Sequence, residues 1–410
     1  MNTLTSSSEV QRPAFLLPML VLSLLSCTSL WFAGNAVLGD LTTAWNLGPH
    51  ALGWTISSVQ FGFLLGTLGS ASIGLPDRFA PRHIFFVCAL CGAALTALPI
   101  LIQGFTPLLI MRFLTGVCLA GIYPIAMKLA ASWYSKDVLG LAMGYLVSAL
   151  ALGTSVPHLI RGVGKGLPWQ GVLLVVSSIA VCGAFVVLTR VPEGPYGKHV
   201  KPAEPVEEES SKGVLREIFA SKDFRAAAFG YVGHMWELYA FWAFVPPMLK
   251  WHADYHGYTF DVSMWSFAVI AAGGLGCVLG GYLSRAVGSA HTASIMLLLS
   301  GVCSLGAPLF FFAPRALFIL IMFIWGVTVI GDSAQFSTLY SKSAPPKLVG
   351  SAITIVTALG FGITIVSIEL VSWLNDSFEL PYIFPLIALG PVLSFLFMRH
   401  LRHHEKAERA

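Results

Sequence analysis

The feature that most constrains this chain is a succession of long apolar runs. They fall at roughly 14–39, 51–75, 83–103, 106–133, 138–160, 169–190, 226–249, 263–284, 291–312, 317–340, 349–373 and 382–398. A helix crossing a bilayer needs about 20 mostly apolar residues, so each run is a candidate membrane span. Over its 410 residues the chain is 56% hydrophobic and only 11% charged. An ordinary soluble domain carries about a quarter of its residues charged, so part of the solvent here must be lipid. The expected class is an all-α integral membrane protein with twelve transmembrane helices. The run starting at Phe15 passes Ala36, longer than the roughly 7–15 apolar residues of a secretory signal, and reads as the first span.

Composition also removes several classes. A formal net charge of +4 is too small to suggest nucleic acid as a partner. The seven cysteines all lie inside apolar runs, where neither a disulfide framework nor a zinc site is built. Cys88-x-x-Cys91 sits mid-run among Ala, Leu and Phe and reads as small packing residues. No metal and no cofactor is expected.

One long connection interrupts the series. Residues 191–225 hold Pro192, Pro195, Pro202, Pro205 and the acidic run Glu207-Glu208-Glu209, a polar, aperiodic linker. It separates an N-terminal six-helix half (1–190) from a C-terminal half (226–410). With the N-terminus placed in the cytoplasm, 18 of the 24 Lys and Arg residues fall in cytoplasmic segments and four in outer loops. That asymmetry predicts cytoplasmic termini in an inner membrane. The halves also echo each other. Arg78 and Arg285 follow spans 2 and 8, and Gly140-x-Ala142 matches Gly350-x-Ala352 at an offset of 210. This supports a parallel repeat of two pseudo-symmetric halves.

Several motifs carry a family resemblance. Asp77-Arg78-Phe-Ala-Pro-Arg82 resembles the loop between helices 2 and 3 of the major facilitator superfamily (MFS), with Ala80 and Pro81 departing from its Gly and Arg. Arg112-Phe-Leu-Thr-Gly116 resembles its helix-4 motif, and Trp133 to Gly144 its helix 4–5 loop. Gly144 and Gly153 keep the helix-5 glycine spacing, but Val156-Pro157 replaces the Gly-Pro found in drug–proton antiporters. The resemblance implies the MFS fold, alternating access, and a central cavity lined by helices 1, 4, 7 and 10. Asp77, Arg78 and Arg82 would form a conformational latch where span 2 leaves the bilayer.

Ionisable groups inside a span cost roughly 2.5–3.5 kcal/mol on insertion scales, so each is a functional candidate. Arg112 in span 4 can bind an anionic group or hold a carboxylate ionised. In span 7, His234 and Glu237 are three apart, share a face and are expected to hydrogen-bond as a proton-handling pair. Arg112 is expected to approach Glu237 across the cavity. Asp332 in span 10 is the other proton candidate, and Gln335 shares its face. Asn35, Tyr239 and Trp242 complete the candidate substrate contacts. Lys128, Glu369 and His158 read as groups that reach toward the membrane interfaces.

The expectation is a secondary active transporter and not an enzyme. It is expected to be monomeric and coupled to protons, moving a small organic solute, with organic-anion symport favoured. A proton-driven drug or metabolite exporter is the alternative; Arg112 and the missing Gly-Pro argue against it. A nitrate-type porter would want arginines within spans 2 and 8, and a copper importer a compact Met/His set. A receptor or intramembrane enzyme finds no soluble domain, nucleotide loop or zinc signature.

Overall fold

The computed structural model describes residues 13–134, 136–195 and 211–409. Among these the secondary structure is helical, with no strand. The twelve spans are α1 (Leu16–Thr28 and Ala33–Trp45), α2 (Ala51–Ser72), α3 (Pro81–Ala97), α4 (Phe105–Ala120 and Tyr123–Ala131), α5 (Lys136–Val163), α6 (Trp169–Arg190), α7 (Lys222–His256), α8 (Val262–Val287), α9 (Ser289–Leu305), α10 (Arg315–Gly331 and Ser333–Ser343), α11 (Val349–Leu374) and α12 (Leu380–Ile387 and Leu389–Arg409). Ten are long and apolar enough to cross a membrane on those grounds alone. Of the other two, α9 is short, with 17 residues, and α7 carries the polar series beginning at His234.

Boundaries differ from the sequence reading in ways that have physical causes. The first run is two helices meeting at Ser29–Phe32. There, Thr28 Oγ1 donates to Leu24 O (2.8 Å) and Ser29 Oγ to Ser26 O (2.6 Å), so hydroxyls compete for the carbonyls that would continue the helix. α7 begins at Lys222, because Ser221 caps it by accepting from Phe224 N. Part of the stretch read as linker is helix, Ser211–Ile218. Residues 196–210, including Pro202, Pro205 and the glutamate run, lie outside the described residues.

The two halves repeat one packing device. Gly116 of α4 presses on the carbonyl of Val59 in α2, and Gly326 of α10 presses on that of Val269 in α8. Each pair sits 210 residues from its counterpart. A Cβ at either glycine would strike backbone, and glycine allows the close approach. The two longest-broken helices also break at equivalent points, Gly121–Ile122 in α4 and Asp332 in α10.

Twelve crossings put residues 13 and 409 on one face, called here the terminal face. Toward it the helices that join the halves stand apart. Side chains built at Gly69 (α2), Gly140 and Gly144 (α5), Gly281 (α8) and Gly350 (α11) would meet open space. At the opposite face the same helices are jammed together. Gly53 of α2 lies against Ser372 and Glu369 of α11, and Gly162 of α5 against Met264 of α8. The cleft is therefore shut at the far face and open at the terminal face.

Candidate functional site

The break in α1 leaves backbone carbonyls without a helical partner. Arg112, buried in α4, takes them. Its Nη1 donates to Leu30 O at 2.9 Å, and its Nη2 donates to Trp31 O. Neither hydrogen bond goes to a carboxylate, so Arg112 does not meet Glu237 as expected from sequence. Its Nε is buried without a partner and lies over Gly34. The Trp31 indole donates to Gln60 Oε1 of α2 at 3.0 Å.

Around this break lies a packed aromatic cluster between the halves. Trp31 is 4.9 Å from Phe63 of α2, 5.7 Å from Tyr239 of α7 and 5.7 Å from Phe361 of α11, centroid to centroid. Phe32 meets Trp242 edge-on at 6.1 Å, and Tyr239 and Trp242 lie 5.3 Å apart. Five polar groups here are buried and unpaired: Arg112 Nε, Asn35 Nδ2, Gln60 Nε2, Trp242 Nε1 and the Tyr239 hydroxyl. All five can donate hydrogen bonds.

The acidic residues sit elsewhere, inside the C-terminal bundle. His234 and Glu237 share a face of α7 but do not bond to each other; each finds a partner on α10. Glu237 Oε1 accepts from Trp325 Nε1 at 2.9 Å. His234 Nδ1 lies 2.8 Å from Asp332 Oδ1, a charge contact off hydrogen-bond alignment, while its Nε2 meets Ser333 Oγ at 2.7 Å. Asp332 is placed there by the break, since it joins the two segments of α10 and its carbonyl accepts from Gln335 N and Phe336 N. All three ionisable groups are about 1% exposed. The ring of Phe336 covers the imidazole at 5.6 Å.

Gln335 does not share the surroundings of Asp332. It lies beside Gly280 of α8 and lines a crevice of about 280 Å³ between α5, α8 and α10, toward the terminal face. Of the latch residues, Arg78 is exposed and Arg82 half-buried, and the side chain of Asp77 lies outside the described residues. Lys128 reaches the terminal end of its helix, where its Nζ donates to Pro76 O at 2.7 Å and ties the second part of α4 to the loop after α2. His158 is buried, not interfacial, with its Nε2 unpaired. Glu369 faces α2 at the closed end instead of reaching outward.

Three contributors escaped the sequence reading: Gln60, Trp325 and Ser333. Each lies on a helix the resemblance did not single out or looks like ordinary packing. Only the unpaired carbonyls at the α1 break and the burial of Glu237 reveal what they do.

Comparison with known proteins follows the same lines. The model of the Major Facilitator Superfamily matches residues 19–368. The niacin transporter NiaP of Acinetobacter baylyi is 28% identical over 170 residues, 39% of this chain and 36% of that protein. The 4-hydroxybenzoate transporter PcaK of Pseudomonas aeruginosa is 25% identical over 156 residues, 37% of this chain and 34% of its own length. The chain thus spans little more than a third of these relatives. A bacterial homologue of the human lysosomal transporter Spinster, in its inward-facing, unoccupied conformation, superposes with a TM-score of 0.68 at 15% identity, covering 96% of this chain and 97% of the other.

Proposed function

This chain belongs to the Major Facilitator Superfamily, is a multi-pass membrane transporter of small solutes and not an enzyme, and on that premise we propose that it carries a small aromatic carboxylate together with protons. The observation that carries this reading is the set of five buried, unpaired donors on residues of the α1 break and the aromatic cluster around it. A buried donor left without an acceptor costs about 1–3 kcal/mol, so a ligand rich in acceptors is favoured there. A carboxylate would take Arg112 Nε and Asn35 Nδ2, and its ring would lie among Trp31, Tyr239, Trp242 and Phe361. Niacin and 4-hydroxybenzoate, the solutes in the names of two relatives, are both aromatic carboxylates. A lipophilic cation, the solute of the exporter alternative, could lie on the same rings but would leave the five donors without acceptors.

Proton coupling rests on Glu237, His234 and Asp332, whose charged forms are costly in an apolar bundle unless matched. They would take up and release protons as the halves rock. Arg78 and Arg82, with Asp77, would act as the latch at the terminal face. The Lys and Arg asymmetry supports a cytoplasmic terminal face in an inner membrane, and a monomer suffices for the mechanism.

Uptake into proteoliposomes tests the reading directly. Labelled nicotinate or benzoate should accumulate when the outside is more acidic, and the gradient-collapsing ionophore should abolish accumulation. Equal uptake with and without the gradient would remove proton coupling, and uptake of lipophilic cations alone would remove the carboxylate. For topology, a cysteine at Ser210 should resist an impermeant reagent applied outside intact cells.

A further inference from the structure

Rocking of two rigid halves changes the surfaces between them far more than the packing within either. Glu237, His234 and Asp332 all lie within the C-terminal bundle, with partners on α7 and α10. Their surroundings move together. A proton site that senses which face is open should instead lie on the seam that opens and shuts.

One carboxyl of a membrane span does. Glu369 is in α11 near the closed face, and its Oε2 packs where α2 offers only Gly53; a Cβ there would come within 3.1 Å of it. Its Oε1 is buried with no hydrogen-bond partner, and so is the neighbouring Ser57 hydroxyl of α2. Ser372, one turn on, presses on the same glycine. At the rim of this seam His50, which precedes α2, lies 3.1 Å from Asp376, which follows α11. The other joining seam, between α5 and α8, carries Gly162 against Met264 and an exposed Lys165–Asp261 approach of 3.9 Å. The α2–α11 seam is thus the one of the two joining seams where a carboxyl oxygen is buried between the halves.

We propose that Glu369 is a proton-binding site whose protonation closes the α2–α11 seam, an inference that rests on the proton-coupled reading above. When the seam opens, the carboxylate meets water and ionises. Closing it strips that water from a carboxylate to which α2 can offer no more than the single Ser57 hydroxyl, so the ionised form opposes closure and the neutral acid permits it. The proton comes from water at the far face, adds to a carboxylate oxygen and leaves by the same bond when the seam next reopens. No other bond changes. The titratable groups facing the site are few. From the start of α2 there is His50, itself paired to Asp376. From α7, which runs alongside α11, the stretch level with Glu369 (Ala240 to Leu249) holds none. The His50–Asp376 contact is a second tie across the same seam.

The consequence is an ordering of steps. With the far face open, substrate enters and Glu369 takes a proton; only then does that face shut and the terminal face open. This makes outer closure itself proton-dependent, separate from any proton held by Glu237 or Asp332.

Spin labels at Thr43 and Ser377, exposed on either side of the far face, report the seam by electron–electron distance in a Cys91→Ser, Cys182→Ser background. For wild type the short-distance population should grow between about pH 8 and about pH 5.5, a range bracketing the ordinary titration of His and approaching that of carboxylates. Glu369→Gln and Glu369→Ala are both neutral and differ in bulk. Each should show at about pH 8 the short-distance population that wild type reaches at about pH 5.5. His50→Gln should keep most of the pH response. If the neutral variants follow wild type at every pH while wild type still accumulates substrate on a proton gradient, Glu369 is not the site and the coupled reading survives. If wild type shows no gradient-driven accumulation, the coupled reading fails and this inference falls with it.

Discussion

The two halves of this chain share a backbone and divide the chemistry. Val59 against Gly116 and Val269 against Gly326 are the same contact at an offset of 210, and Gly66 and Gly276 meet Val117 and Val327 at that offset too. Yet the polar groups do not follow the repeat. α1 breaks at Ser29–Phe32, and Arg112 fills the break; the equivalent stretch of α7, Tyr239–Trp242, is unbroken and presents aromatic rings. The break in α4 falls at apolar Ile122, whereas that in α10 delivers Asp332 to His234. The N-terminal half uses its buried Arg112 at the α1 break, while the C-terminal half folds Glu237 and Asp332 into itself and leaves Glu369 facing α2. On the function proposed above, substrate recognition and proton storage would sit in different halves.

Removing Arg112 tests the first side of that comparison and should have the largest effect. Arg112→Ala strips two donors from the α1 break and the free Nε from the cluster around it. Truncating one member of a buried charged hydrogen-bond set costs about 2–5 kcal/mol, so carboxylate affinity should fall at least about 30-fold. Calorimetric titration of folded, monodisperse protein measures it. Unchanged affinity would mean that Arg112 only splices α1, and the comparison would lose its N-terminal member.

The second side is broken by Glu237→Gln. The amide oxygen can still accept from Trp325, so the fold is retained, but the group can no longer gain and lose a proton. Equilibrium binding should stay within about threefold, less than 1 kcal/mol, while gradient-driven accumulation is lost. In wild type, accumulation should rise as the outer pH falls over about pH 8 to 5.5. Full accumulation by the variant would move coupling to Asp332 or to the α2–α11 seam.

A stability measurement then sharpens the repeat itself. Gly116→Ala and Gly326→Ala each force a Cβ into a facing carbonyl, and overpacking of this kind costs about 1–3 kcal/mol. The two variants should lower the melting temperature by similar amounts. A clear inequality would show that the halves are alike in trace but not in load.

Much of this was legible in the sequence, for physical reasons. Lipid leaves the backbone no alternative to helices, so the apolar runs pointed to the spans, ten of which qualify on length and apolarity alone. Intramembrane charge is costly enough that Arg112, Glu237, His234 and Asp332 stood out as buried polar positions. Their partners were not legible. Helical spacing placed His234 and Glu237 on one face, but both look across to α10, and which helix lies opposite is a tertiary fact. The break in α1 was equally hidden, because Ser26 to Ser29 read as small residues in an apolar run. Glu369 was passed over because it lies near a helix end, where a carboxylate ordinarily reaches water; only the contact with Gly53 shows it facing the other half.

Tyr239→Phe gives the smallest effect and the finest cut. Tyr239 belongs to the C-terminal half but packs on α1 of the N-terminal one, with its ring 5.7 Å from Trp31 and its hydroxyl buried and unpaired. If the hydroxyl is only a passenger on a packing ring, its removal relieves an unsatisfied group and changes nothing in binding. If it donates to the bound solute, removal costs one hydrogen bond, about 0.5–1.5 kcal/mol net, and more when the acceptor is a carboxylate. The variant should therefore melt no lower than wild type while binding an aromatic carboxylate about three- to tenfold more weakly. Uncharged analogues of the same ring should lose less. Equal losses for acid and amide would make Tyr239 a shape contact, and the donors for the carboxylate would then come from the N-terminal half and from Trp242 alone.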